Sequence, residues 1–387
     1  MKIGIVTCWW SKDNYGAILQ TYALQKYLRD LGHDAYIIKF DIYGNTGLSR
    51  LKDYVKYFLY QVGVYKNISY RKNLKQRKLE NKWNNLRDFD SFRKEFVSMT
   101  ETTYKGINDV RKNPPEADVY ITGSDQVWGV NLATANHQIF YLSFGDQKIQ
   151  RISYAASFGS KTLPCKDTDL FGSLVSSFNA ISVREVGGIN ILHEYGINAV
   201  RCCDSTLLLQ SDIYCKLLSK RKYNFDYSYF YTVNVSTPEE ILWPEISALF
   251  NSLGLRLVVT TGGGYKRAEE LFDGAIYDYS KVGEWLSNIY YSTVVVTASF
   301  HGIVFSLLFR KNFIYVPLKS SLSKGNDRIF DLLKITKLES RVARTIDDVK
   351  SIINSPIDYS SLKFEELDKL VTFSKSFLDK SINYDNR

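Results

Sequence analysis

Four short segments carry side chains that could do chemistry together. The first is Asn14-Tyr15-Gly16-Ala17, and the second is Gly123-Ser124-Asp125-Gln126-Val127-Trp128. The third is Ser182-Val183-Arg184-Glu185 and the fourth Thr297-Ala298-Ser299-Phe300-His301-Gly302. In the last three, an apolar run that reads as a strand ends just before the polar residues. Polar groups at the carboxyl ends of parallel strands sit where α/β folds bind ligands. His301 brings an imidazole, which transfers protons near neutral pH. Arg184 brings a bidentate cation for carboxylate or phosphate. Ser299 stands where it can cap a helix that begins near His301, and such a helix terminus favours anions. Each segment also has a plainer reading. Asn14 can be an N-cap, Trp128 can fold back on a core, Arg184 can pair with Glu185 at the surface, and His301 can be structural.

The elements that must position these residues alternate strand and helix. Lys2–Cys8 reads as a strand, Tyr15–Leu31 as a helix with an apolar stripe stopped by Gly32, and Ala35–Phe40 as a second strand. Further strands are expected at 118–122, 151–155, 180–183 and 199–203, with a helix over 185–195. A second alternation follows Asp204: strand 229–235, helix 238–253, strand 256–261, helix 283–291, strand 293–297, helix 301–310 and strand 313–316. Helical pattern fills the chain from Asn326 onward. The expected fold class is α/β, two Rossmann-like lobes facing a cleft. Residues 1–205 form the N-terminal lobe, with a basic helical insertion at about 45–100, and 206–387 form the C-terminal lobe with terminal helices.

The 387 residues are 45% hydrophobic and 24% charged, which excludes a disordered chain or a fibrous repeat. The net charge is +9, and the window 50–94 alone holds 13 Lys/Arg against four Asp/Glu, the same excess. Nine aromatics from Tyr54 to Phe92 interleave with that charge, and 51–63 has the stripe of an amphipathic helix. Three readings stand: a solvated hairpin packed on the body, a surface docking to an anionic membrane, and nucleic-acid binding. No nucleic-acid motif accompanies the patch, so nucleic acid is not expected as a partner.

Five cysteines, Cys202 and Cys203 adjacent, fit a reducing cytoplasm. No signal peptide is read at the start, and no apolar run reaches the ~20 residues of a membrane helix. A P-loop, G-x-G-x-x-G, H-E-x-x-H and G-x-S-x-G are all missing. With four histidines and no C-x-x-C, no metal site is expected.

Taken together and in order, the segments resemble one family. Asn14-Tyr15-Gly16-Ala17-Ile18-Leu19-Gln20, Gly123–Trp128, Ser182–Glu185 followed by Asp204-Ser205-Thr206-Leu207-Leu208, and Ser299–Gly302 are similar to the successive blocks of the polysaccharide pyruvyl transferases. The resemblance spans residues 3 to about 335. It implies lobes similar to the glycosyltransferase B fold and transfer of pyruvate from phosphoenolpyruvate to two sugar hydroxyls. The product would be a cyclic ketal. The acceptor would be a surface polysaccharide, as in capsule or exopolysaccharide, or a cell-wall glycan precursor, often lipid-linked. No cofactor is implied. Carried onto this chain, the donor set is Arg184, Ser299, His301, Gly302 and Arg328. The acceptor set is Asn14, Tyr15, Gly16, Asp125 and Gln126. His301 is the expected acid, and Asp125 orients or deprotonates a hydroxyl. One departure matters: another branch reads Arg-Leu-His where this chain has Ser299-Phe300-His301, so Arg184 and Arg328 must supply the missing cation. Two rival readings keep the same architecture, a nucleotide-sugar glycosyltransferase and a non-catalytic glycan-binding or assembly protein. The expected location is cytoplasmic, with a peripheral place at the inner membrane face if the insertion docks there.

Overall fold

The computed structural model describes residues 1–42, 68–129, 132, 134–160, 162–163, 168–262, 270–319 and 325–383. The first sheet comprises β1 (Lys2–Val6), β2 (Asp34–Ile37), β3 (Val119–Thr122), β4 (Gln150–Ala156), β5 (Ala180–Val183) and β6 (Val200–Arg201). Its order is β2-β1-β3-β4-β5-β6, and every described pairing is parallel. Strand order reverses between β1 and β3. The second sheet comprises β7 (Tyr227–Val233), β8 (Arg256–Gly262), β9 (Ile276–Tyr277), β10 (Val294–Thr297) and β11 (Phe313–Tyr315). Its order is β11-β10-β7-β8-β9, again parallel, and it reverses between β10 and β7. Such reversals open a crevice beyond the strands' carboxyl ends, where open α/β sheets bind ligands. These are the two Rossmann-like lobes that the alternation predicts.

Helix α1 (Tyr15–Asp30) shows how locally the sequence determines these elements. The Asn14 side chain accepts from the Ala17 N–H at 3.2 Å and caps the first turn. Gly32, at φ 89°, takes the left-handed turn that ends it. Between them the helix is buried on most of its faces because both lobes press on it. Insertion helices α2 (Ile68–Arg87) and α3 (Phe89–Phe96) follow, then α4 (Ile107–Lys112), α5 (Thr168–Val175), α6 (Val186–His193) and α7 (Ser211–Cys215). The second lobe adds α8 (Trp243–Ser252), α9 (Val282–Tyr291), α10 (Phe300–Leu308), α11 (Asp327–Thr336), α12 (Ile346–Asn354) and α13 (Glu365–Ile382).

One apolar cluster runs through both lobes, from Leu19 and Tyr154 to Tyr214, Trp285 and Phe305. The last helix leaves the second lobe and lies on the first sheet. There Ser374 Oγ accepts from the Cys203 N–H at 2.9 Å, and Gln150 Nε2 donates to the Ser381 carbonyl. No described helix is long and apolar enough to cross a membrane. The expected amphipathic helix at 51–63 lies outside the described residues.

Candidate active site

Asp204 is the hub. It follows β6 and is enclosed, with Ser124 Oγ and Arg184 Nη1 donating to its Oδ2 at 2.7 and 2.8 Å. The backbone N–H and hydroxyl of Thr206 donate to Oδ1 at 3.0 and 2.7 Å. His301 Nε2 stands 3.5 Å from the same Oδ1. Segments remote in sequence thus meet on one carboxylate. Burial alone would raise its pKa, but His301, Arg184 and Thr206 outweigh that and hold it well below the usual carboxylate range. The sequence reading omitted Asp204 from the site. The signal was its place in the Asp204–Leu208 block.

His301 lies in the first turn of α10, against α1. A Cβ on Gly16 would collide with His301 Nδ1, so only glycine lets the helix backbone come this close. Its Nε2 makes no hydrogen bond. Arg184 is not a surface partner of Glu185: exposures are 4% for Arg184, 7% for Glu185, 6% for His301 and 1% for Asp204. Burial disfavours the Arg184 charge, but Asp204 and Glu185 outweigh it, and its pKa is raised. Its Nε and Nη2 make no hydrogen bond.

Phe300 organises the cations. The Arg184 guanidinium lies 5.0 Å from the ring centroid and that of Arg328 lies 5.7 Å away. Arg328 Nε is also without a hydrogen bond. Burial and the like charge of Arg184 bring its pKa down to about 10, so it stays a cation at neutral pH. Two guanidiniums with unused donors on one ring form an arrangement that an anion would complete.

Backbone geometry at the cleft is unusual. Asp125, Ala155 and Asn234 all have positive φ, at 88°, 49° and 61°. Such conformations cost of order 1–3 kcal/mol for L residues and cluster at functional sites. At Ala155 the β4–β5 register also shifts, a bulge that re-aims the chain. Ser157 beyond it donates to Glu185 Oε1 at 2.9 Å.

Two cavities open here, of about 390 and 230 Å³. Glu185, Val186 and Asn190 wall the larger, and Gln126, Asn234 and Ser299 wall the smaller. Arg328, Gly159 and Gly325 border both. Arg184 and His301 line neither cavity; Arg184 immediately precedes the wall residue Glu185, and His301 comes two residues after Ser299.

Several expected roles change. Asn14 is the α1 cap, and Tyr15 is shut in the interlobe core. Its hydroxyl donates to the Ser280 carbonyl at 2.5 Å and its ring stacks on Trp285 at 5.1 Å. Gly16 gives clearance to His301. Asn14, Tyr15 and Gly16 therefore line neither of these two cavities. Gly302 likewise is a packing residue: a Cβ there would strike Thr297 Oγ1. Ser299 sits at the N-cap position of α10 but makes no side-chain capping bond; its own N–H donates to Thr297 Oγ1 at 3.0 Å. Asp125 is half-buried within electrostatic reach of Arg184 and Arg328, and Gln126 is exposed at the smaller cavity. Trp128 folds back on the core, stacked on Tyr141.

The family model for polysaccharide pyruvyl transferase matches residues 14–320. The chain belongs to that family. It is therefore a member of a family of transferases acting on polysaccharide. No curated protein matches it by sequence. Among solved structures it is similar to an α-glucosyltransferase in complex with UDP, with TM-score 0.50 and 9% identity over 98% of this chain and 96% of that one. A UDP-GlcNAc 2-epimerase from Methanocaldococcus jannaschii gives 0.49 and 10% over 96% and 99%. The UDP-GlcNAc 2-epimerase from Neisseria meningitidis gives 0.48 and 9% over 98% and 100%. At 9% identity the first of these likenesses concerns the fold alone, two lobes of the glycosyltransferase B type.

Proposed function

We propose that this family member moves pyruvate from phosphoenolpyruvate to two hydroxyls of one sugar in a surface polysaccharide or cell-wall glycan precursor. The observation that carries the reading is the pair of arginines on Phe300 with unused donors, beside an imidazole 3.5 Å from a buried carboxylate. Phosphoenolpyruvate presents a carboxylate and a phosphate, and Arg184 and Arg328 offer a fork for each. Arg328 stands in for the arginine that Ser299 replaces. His301 protonates the methylene carbon, and C2 becomes electrophilic. One sugar hydroxyl adds to C2, the C2–O bond to phosphate breaks, and the second hydroxyl closes the ketal. One hydroxyl proton restores His301, and the other leaves with phosphate or to solvent. Asp204 offsets the imidazolium charge in this scheme, and Asp125 faces the incoming hydroxyl. No resident cofactor enters it.

The test incubates the full chain and a glycan panel with phosphoenolpyruvate or with UDP-sugars. Phosphate release with a ketal-sized mass gain on the glycan is expected. UDP release from UDP-sugars, with phosphoenolpyruvate untouched, would overturn the reading in favour of a glycosyltransferase. Within it, Arg328→Ala should raise KM for phosphoenolpyruvate by about 10- to 150-fold, the loss of one charge-assisted contact. An unchanged KM would remove Arg328 from the donor site.

A further inference from the structure

We infer that the larger cavity is the acceptor subsite, and that Glu185 Oε2 accepts a hydrogen bond there from a hydroxyl of a neutral sugar. The inference rests on the pyruvyl-transfer reading for the identity of the second substrate, not for the site itself.

Glu185 is held as a binding group is held. Its Oε1 takes the Ser157 hydroxyl at 2.9 Å and the Phe158 and Gly159 N–H groups at 2.8 and 3.3 Å. Glu185 lines the cavity, and its Oε2 is buried and accepts no hydrogen bond, with Arg184 Nε 3.8 Å away. A buried carboxylate oxygen left without a donor is costly, and a ligand O–H would satisfy it.

The rest of the wall selects the ligand. Besides Glu185 it has Asp327 and Asp331, which repel an anion, while Arg328 in the wall, Arg184 3.8 Å from Glu185 and Arg201 3.9 Å from Asp331 offset the carboxylate charge. Among the described residues, no three His, Cys, Asp or Glu side chains are placed to hold a metal ion. What fits is a neutral molecule that donates to carboxylates, accepts from Arg328 and Asn190, and rests an apolar face near Phe330. A pyranose does all three. At about 390 Å³ the cavity lies within the usual range for small-molecule sites. Arg328 also borders the smaller cavity, beside Ser299, so ligands in the two cavities would meet at its guanidinium. A group transfer requires that adjacency. Glu185 and Asn190 thus take the role expected of Asn14, Tyr15 and Gly16.

The experiment uses the full chain and saturation-transfer NMR with methyl galactoside, glucoside, mannoside and N-acetylglucosaminide. Phosphoenolpyruvate binding is measured calorimetrically on the same samples. Wild type should bind at least one glycoside. Glu185→Gln, which puts a donor where the acceptor was, should weaken it by about 10- to 150-fold, and Asn190→Ala by about 2- to 10-fold. Asn190→Ala should leave phosphoenolpyruvate affinity unchanged. Asn190 is exposed on α6, so its variant decides the matter if Glu185→Gln does not fold. Glycoside binding absent from wild type, or undiminished in the folded variants, overturns the subsite. Glycoside binding that depends on Glu185, with no phosphoenolpyruvate bound, would keep the subsite and sink the donor reading.

Discussion

Asp204 concentrates at one side chain what four segments supply. Asp204→Asn removes the charge that faces Arg184 and His301 while keeping the shape. Breaking a buried pair this way costs about 3–5 kcal/mol, because the abandoned charge stays buried. Urea midpoints at neutral pH should show that loss, and turnover should fall with it. The pH dependence has a definite sign. The Asp204 pKa is depressed in the folded protein, so its contribution is present above about pH 4 and disappears as pH falls below that. Wild type should therefore lose stability below about pH 4 more steeply than Asp204→Asn. Equal slopes would mean that the carboxylate is not coupled as its geometry indicates. Why the sequence hid this residue is a matter of distance along the chain. Its partners Ser124 and Arg184 lie 80 and 20 residues away, and a lone Asp has no periodicity to betray it. Arg184 is visible because it follows an apolar strand directly, and His301 because it opens a helix just beyond one. Nothing local separated a buried Arg184 from one paired with Glu185 at the surface.

At the scale of elements, the contact between α1 and α10 sets the imidazole. Gly16→Ala inserts a methyl into the space His301 occupies. Overpacking of this kind costs about 1–3 kcal/mol, and the helix itself favours Ala over Gly. The variant should fold, with turnover reduced far more than its melting temperature. Circular dichroism beside an activity assay checks this, and full turnover would show that the ring's position is not critical. Most elements were legible because burial on one or both faces writes a period into the sequence. Ala180–Val183 is read to the residue, and α9 and β10 to within one. The span 238–253 was read as one helix but breaks in two. A short 3₁₀ turn, Pro238–Ile241, ends at Leu242 with φ 56°, and α8 begins at Trp243. Pro244 explains the break: its ring would clash with a carbonyl one turn back in a continuous helix. Helix α4 and strand β9 were not read, being too short to show a period. Helix α13 was legible as helix, but its return to the first sheet depends on contacts such as Ser374 with Cys203.

For the whole molecule, the basic insertion matters as a bridge between lobes. Its aromatics Phe89 and Phe92 pack on Tyr15 and Tyr22, and Trp83 stacks on Tyr279 of the second lobe at 4.6 Å. These rings are spent on protein contacts, as the packed-hairpin reading expects, while Arg77, Lys78 and Lys82 point outward. Arg93 holds the loop before α1 by donating to the Trp9 and Ser11 carbonyls at 3.2 and 2.7 Å. Arg87 grips the other lobe: Nη2 donates to the Thr261 carbonyl at 2.7 Å, and the guanidinium lies over Tyr279 at 5.4 Å. Arg87→Ala would leave that carbonyl without its donor and release α2 from the second lobe. The expected loss is about 1–3 kcal/mol. Lys82→Ala, on the exposed face of the same helix, should stay within about 0.5 kcal/mol of wild type. Denaturant midpoints measured side by side give the comparison. Because the proposed catalytic groups come from both lobes, Arg87→Ala should also lower turnover, and Lys82→Ala should not. If the two variants lose stability equally, the insertion rides on the surface without joining the lobes, and its charge must be explained by something outside the molecule.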